Sequence, residues 1–150
     1  MTTHLLETVG LVLVICLFAS QLKVQRRRPL YKQKSILTKN EVEFFWRLRS
    51  ALPDAYIFPQ VAMSALIEPK SNGKPRVADR NRISQKYVDF AIYTAGLELL
   101  AIVELDDRTH NKAADAQRDA RLASAGIRTV RFQSRCKPDE REIRLALLQQ

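Results

Sequence analysis

Apolar and polar positions follow two different regimes along this chain. Residues 9–19 are apolar or glycine without a break, and residues 5–22 are mostly so. Beyond residue 36 the apolar positions fall into short periodic groups. Thr38-Lys39-Asn40-Glu41 has the form of a capping box, and Phe44, Phe45, Leu48 and Leu52 follow at helical spacing. This predicts a helix over 39–52, closed by Pro53. Residues 56–63 predict a strand, with Pro59 pointing to an edge or a bulge. Residues 67–86 hold Pro69, Asn72-Gly73, Pro75 and alternating charge, and predict a long loop. Residues 87–93 and 97–105 predict two strands joined through Thr94-Ala95-Gly96. A helix is predicted over 113–125, with Gly126 just past its end, then a strand over 127–132. Pro138 opens a last helix that sets Ile143, Ala146 and Leu147 on one side. Helix, strand, hairpin, helix, strand, helix is the order of an α/β sheet sandwiched by helices.

The apolar start predicts a separate unit. Eighteen residues of helix span about 27 Å, close to a hydrocarbon core of about 30 Å. No Lys or Arg precedes the run, whereas Lys23, Arg26, Arg27 and Arg28 follow it. A signal peptide has the opposite charge order. The expectation is a single-pass transmembrane anchor over 1–22, in the cell (inner) membrane, with the C-terminal domain in the cytoplasm. A hydrophobic helix packed on the domain and a mis-assigned start are the alternatives. Residues 23–35 then form a basic juxtamembrane linker suited to anionic head groups, and 36–150 form the α/β domain.

Charge and composition narrow the function. The chain carries 25 Lys and Arg against 16 Asp and Glu. Of these, only Glu7 lies in the first 22 residues, so the remainder has a strong basic excess suited to nucleic acid or anionic lipid. Four glycines make neither a Walker loop nor a GxGxxG turn, and two distant cysteines give no zinc or disulfide framework. The segment 67–86 concentrates Lys70, Lys74, Arg76, Arg80, Arg82 and Lys86 against Glu68 and Asp79.

Two carboxylates stand out on the greasiest strands: Asp89 in the first and Glu104 at the end of the second, followed by Asp106. Carboxylates are depleted in strands and costly to bury. With a two- or four-residue turn, Asp89 faces Ile102 and Glu104 becomes its diagonal neighbour on the same face, roughly 7–8 Å away. A three-residue turn puts them on opposite faces. Two readings stay open. The pair can hold Mg²⁺, with the Leu105 carbonyl as a further oxygen ligand. Alternatively, Asp89 caps a strand end and Glu104 pairs with an arginine. His110 can orient a water or move a proton, or be satisfied in a polar turn. Gln117, Arg118 and Arg121 follow on the next helix, where Arg118 and Arg121 can contact phosphates or balance the acids, or form the ordinary helix-surface pairs Asp115–Arg118 and Gln117–Arg121.

Taken together, Val88-Asp89-Phe90, Glu104-Leu105-Asp106-Asp107, Thr109-His110, Arg118-Asp119, Leu122, Ala125-Gly126-Ile127 and Val130-Arg131-Phe132 resemble domain-of-unknown-function family 2726. The chain thereby resembles the restriction-endonuclease-like PD-(D/E)XK superfamily, and is similar to its very-short-patch-repair endonuclease-like branch. The resemblance spans about residues 36–135. It implies an αβββαβ core, a mixed sheet flanked by helices. It also implies Asp89 and Glu104 as ligands of Mg²⁺ or Mn²⁺, and Glu41 or Glu43 as a further carboxylate on the first helix. Asp106 stands where the motif has lysine, and His110, Lys112 or Gln117 are the residues that could compensate. The expected catalytic set is thus Asp89, Glu104, Asp106, His110 and Gln117. The expected function is a membrane-anchored, metal-dependent nuclease acting on DNA or RNA. Lys70, Lys74, Arg76, Arg80, Arg82, Lys86 and Arg118 would bind the nucleic acid. The alternative is a catalytically degenerate nuclease fold serving as a membrane-tethered nucleic-acid-binding or scaffold module. A third possibility confines the basic segments to membrane attachment.

Overall fold

The computed structural model describes residues 2–25, 30–106 and 112–148. The chain divides into two compact units, Met1–Lys34 and Ser35–Gln150. The first consists of α1 (Thr2–Gln25), whose side chains from Val9 to Phe18 are exposed. Among the described residues, no helix is long and apolar enough to cross a membrane. The predicted transmembrane span therefore finds no support in the fold. Arg26, Arg27 and Arg28 lie outside the described residues.

The second unit is α/β. Its elements are α2 (Lys39–Ala51), β1 (Tyr56–Ala62), α3 (Met63–Leu66), α4 (Lys74–Ile83), β2 (Tyr87–Tyr93), β3 (Leu99–Asp106), α5 (Lys112–Ser124), β4 (Thr129–Gln133) and α6 (Glu140–Leu148). The sheet order is β1-β2-β3-β4. β1, β2 and β3 run antiparallel, and β4 lies parallel to β3 across the α5 connection, which makes the sheet mixed.

The α2 capping box forms as predicted. The Glu41 N–H donates to Thr38 Oγ1 at 3.3 Å, and the Thr38 N–H donates to Glu41 Oε2 at 2.6 Å. The apolar side of α2 then packs with α6 on one sheet face. Phe44, Leu48, Ile143 and Leu147 bury against Phe90, Ile92, Val103 and Leu105. Phe44 meets Phe90 at 5.9 Å and Phe132 at 5.6 Å between ring centroids. The opposite face is covered by Met63, Ile83 and Leu122, packed with Ala91 and Ile102. Both faces being covered explains the near-continuous hydrophobicity of β2 and β3.

Segment 67–86 departs from expectation, because ten of its residues form α4 rather than loop. Gly73, at φ +69°, turns the chain into the helix, and Pro75 sits in its first turn, where a missing N–H costs nothing. Ser71 Oγ donates to Asp79 at 2.8 Å, and Asp79 pairs with Arg82 one turn on. Ile83 is the buried residue of this charged helix, and Val77 is exposed. With no apolar stripe, α4 carries no helical period to read.

The candidate acidic site

The β2–β3 register brings the two carboxylates together more directly than predicted. Phe90 pairs with Val103 and Ala91 with Ile102, so Asp89 falls opposite Glu104 rather than Ile102. A turn through residues 94–98, with Leu97 at φ +61°, and an irregularity between Ile92 and Tyr93 account for the slip. The slip is two residues, an even number, so the same-face relation survives it.

Glu104 is the one charged side chain that is buried among the described residues, with 1% of its surface exposed. Burial first, then the charge of Asp89, pushes its carboxyl up to about 8, while Arg118 and Arg131 pull the other way. Asp89 is half-buried and also raised, chiefly by burial and by the Glu41 charge. Its Oδ2 accepts the Leu105 N–H at 2.8 Å. That N–H points toward β2, so the carboxylate takes the bond that the next rung of the ladder would have made. The strand-end cap, the second of the two readings of Asp89, is therefore real.

Two further elements close on Glu104. Arg118, from α5, sets Nη2 3.2 Å from Glu104 Oε2 and 3.2 Å from Asp115 Oδ1. These contacts are ionic rather than hydrogen-bonded. Arg118 Nε and Nη2 and Glu104 Oε1 are buried without a hydrogen-bond partner. On β4, Arg131 is the register neighbour of Glu104. It donates Nη1 to Asp106 at 2.6 Å, and Nε and Nη2 to Asp119 at 3.0 and 2.9 Å. The Asp119 hydrogen bonds hold the guanidinium above its already high pKa. At the α2 side, Gln60 donates to Glu41 Oε1 at 3.2 Å.

Asp89, Glu104 and Asp106 are thus gathered at one end of the sheet, and Glu41 is near enough to be felt by Asp89. Glu43 is not gathered there, since it pairs with Arg47 and Lys137. Nor is Gln117, which is exposed and accepts from Arg121 at 3.3 Å. His110 lies outside the described residues, as does the Lys112 side chain. Arg118 was expected on nucleic acid, yet it faces inward onto Glu104. Of the other basic residues, Lys70, Lys74, Arg80 and Lys86 are exposed. Arg76 and Arg82 pair with Glu68 and Asp79. The Asp115–Arg118 and Gln117–Arg121 pairs form on α5 as ordinary helix pairs. Sequence reasoning missed Asp119 and Arg131 as site residues, because only folding sets them beside β3.

Among the described residues, no group of three or more His, Cys, Asp or Glu is arranged to hold a metal. A cation here would rest on Asp89 and Glu104, completed by backbone, water or substrate oxygens, as suits Mg²⁺. Two cavities lie elsewhere. One of about 350 Å³ is lined by Lys70, Arg82 and Arg121, and one of about 460 Å³ by Leu52, Leu100 and Leu148. No curated protein and no solved structure matches the chain significantly. The residues that meet around Glu104, among them Asp89, Arg118 and Arg131, fall within a match over residues 33–150, by which the chain belongs to the family described as Protein of unknown function (DUF2726).

Proposed function

We propose that the second unit is a nuclease that hydrolyses phosphodiester bonds of DNA or RNA with Mg²⁺ or Mn²⁺ at Asp89 and Glu104. The observation that carries this reading is the buried Glu104 carboxyl, opposite Asp89, with an oxygen that no protein donor satisfies. In its buried site Glu104 is pushed to hold its proton by the charge of Asp89, and a divalent cation would relieve the same repulsion. With α3 and α4 set between β1 and β2, the remaining order α2-β1-β2-β3-α5-β4, with β4 parallel to β3, supports a restriction-endonuclease-like ancestry.

In this reading Asp89 and Glu104 are the direct ligands. When bound, the cation would acidify a water and offset charge on the phosphodiester. Asp106 is held by Arg131 and stays out of the ligand set. Arg131, fixed by Asp119, supplies the positive charge that the motif lysine would otherwise bring to this strand end. Arg118 balances Glu104 until a cation takes its place. The exposed Lys74, Arg80 and Lys86 neutralise backbone phosphates, a salt-sensitive and sequence-independent grip.

A second reading is favoured by the arginine contacts themselves. With Arg118 on Glu104 and Arg131 on Asp106, the acids are charge-balanced by protein, as in a degenerate nuclease fold that binds without cutting. Plasmid, single-stranded DNA and RNA incubated with the full chain in Mg²⁺ or Mn²⁺ separate the two. Cleavage lost in both Asp89→Asn and Glu104→Gln supports the enzyme. Salt-sensitive binding with no cleavage in either metal sinks it and leaves the binding module. We also propose that α1 attaches the protein to a membrane through its exposed apolar side chains. Recovery of the full chain in the soluble fraction at low salt, without detergent, would refute that.

A further inference from the structure

We infer that β1 carries a stacking platform for unpaired bases, in register with the acidic pair, and that the nucleic acid engaged here is single-stranded. The inference rests on the nucleic-acid part of the reading above and not on cleavage.

Tyr56 and Phe58 are large aromatics left 51% and 43% exposed, on an edge strand of a strongly basic chain. Their rings stack at 6.4 Å with 25° between planes. Phe58 also meets Tyr93 edge-on at 5.4 Å, which fixes the ring it presents. Phe58 is the register partner of Ala91, and Tyr56 that of Tyr93. Ala91 lies two residues from Asp89, about 7 Å along the strand. A chain whose phosphate sits at the acids can therefore lay neighbouring bases on Phe58 and then Tyr56.

Charge on the same face fits that occupant. α4 is docked through Ile83 onto the core of that face, where Ala91 is buried and Tyr93 packs at the edge. Lys74, Arg76, Arg80 and Arg82 lie on α4 against a single Asp79. Exposed aromatics beside a basic track are how single strands are held without sequence preference. Duplex bases hide their faces in the stack and cannot use such a platform. Addition of a strand from a second copy is disfavoured, since Pro59 has no N–H to offer and Gln60, at φ +52°, breaks the edge.

The test is fluorescence anisotropy of the full chain in EDTA, with labelled oligo(dT), oligo(U) and a duplex of equal length. Tyr56→Leu and Phe58→Leu should each weaken single-strand binding about fivefold or more while leaving the duplex unchanged. Phe58→Tyr, which keeps the ring, should retain binding, and thermal melts of all variants check the fold. Equal weakening on single strand and duplex, no weakening on either, or no binding of any probe would overturn the inference. So would a dimer in light scattering that the same Leu substitutions dissolve. Because no metal is present, single-strand loss in these variants stands even if cleavage is never found. Cleavage with no single-strand preference would instead sink this inference and spare the nuclease.

Discussion

Glu104→Gln offers the sharpest test of the site, because it removes one proton-binding group while keeping shape and burial. The folded-state carboxyl lies near 8, against an ordinary 4.5, chiefly because burial penalises its charge and Asp89 repels it. At about 1.4 kcal/mol per pH unit, that difference is worth about 5 kcal/mol as an upper figure. The sign follows from proton binding. An acid with a raised folded pKa holds its proton more tightly folded than unfolded. Its contribution is fullest below about 4.5, falls as pH rises, and levels off above about 8. Between pH 6 and 8 the wild type should lose about 2 kcal/mol from this group, on the order of 10 °C in Tm for a unit of this size. Asp89 is raised in the same direction, and Arg118 and Arg131 hold the Glu104 carboxyl below where burial alone would put it. Urea unfolding across pH 6–9 is the assay. Glu104→Gln should flatten the profile over that window, and saturating Mg²⁺ or Mn²⁺ should flatten it in the wild type if the pair binds the cation. A variant with the wild-type slope would refute the reasoning, because the buried carboxyl would then not be the titrating group.

Arg118→Met keeps the stem of the side chain but leaves Glu104 without its cation. It should push the Glu104 carboxyl above about 8, so that stability keeps falling with pH where the wild type levels off, with little change at pH 5, where Glu104 carries its proton; urea melts at pH 5 and pH 9 check this. Asp119→Asn removes the anchor of Arg131 and should cost about 2 kcal/mol, read as a drop in the urea midpoint. Thr38→Ala opens the α2 capping box and should cost about 1 kcal/mol in the same assay, with the pH profile unchanged.

Much of the fold is legible in the residue pattern because local rules and global packing agree. Thr38 and Glu41 mark the start of α2, and its apolar spacing names Phe44 and Leu48, both of which are buried. Pro59 points to an edge, and β1 is an edge. Residues 67–86 mislead because α4 is held by Gly73, Pro75 and a charged surface rather than by an apolar stripe. Likewise, the apolar run of residues 5–22 matches the length of a membrane span in sequence, yet the described part of α1 does not qualify as one.

At the site itself, the sequence by itself determined only a parity: Asp89 and Glu104 share a face with a two- or four-residue turn and part with a three-residue one. Strand alternation has period two, and any even register slip preserves it. Tertiary structure decided that they stand directly opposite, since that depends on the Leu97 turn conformation and the irregularity at Ile92–Tyr93. It also decided what surrounds them. Arg118, Asp119 and Arg131 sit on α5 and β4, and only the parallel return of β4 beside β3 brings their charges onto Glu104 and Asp106. A carboxylate in a strand is visible in one dimension, but the burial that lifts its pKa and the arginines that answer it exist only once the chain has closed around it.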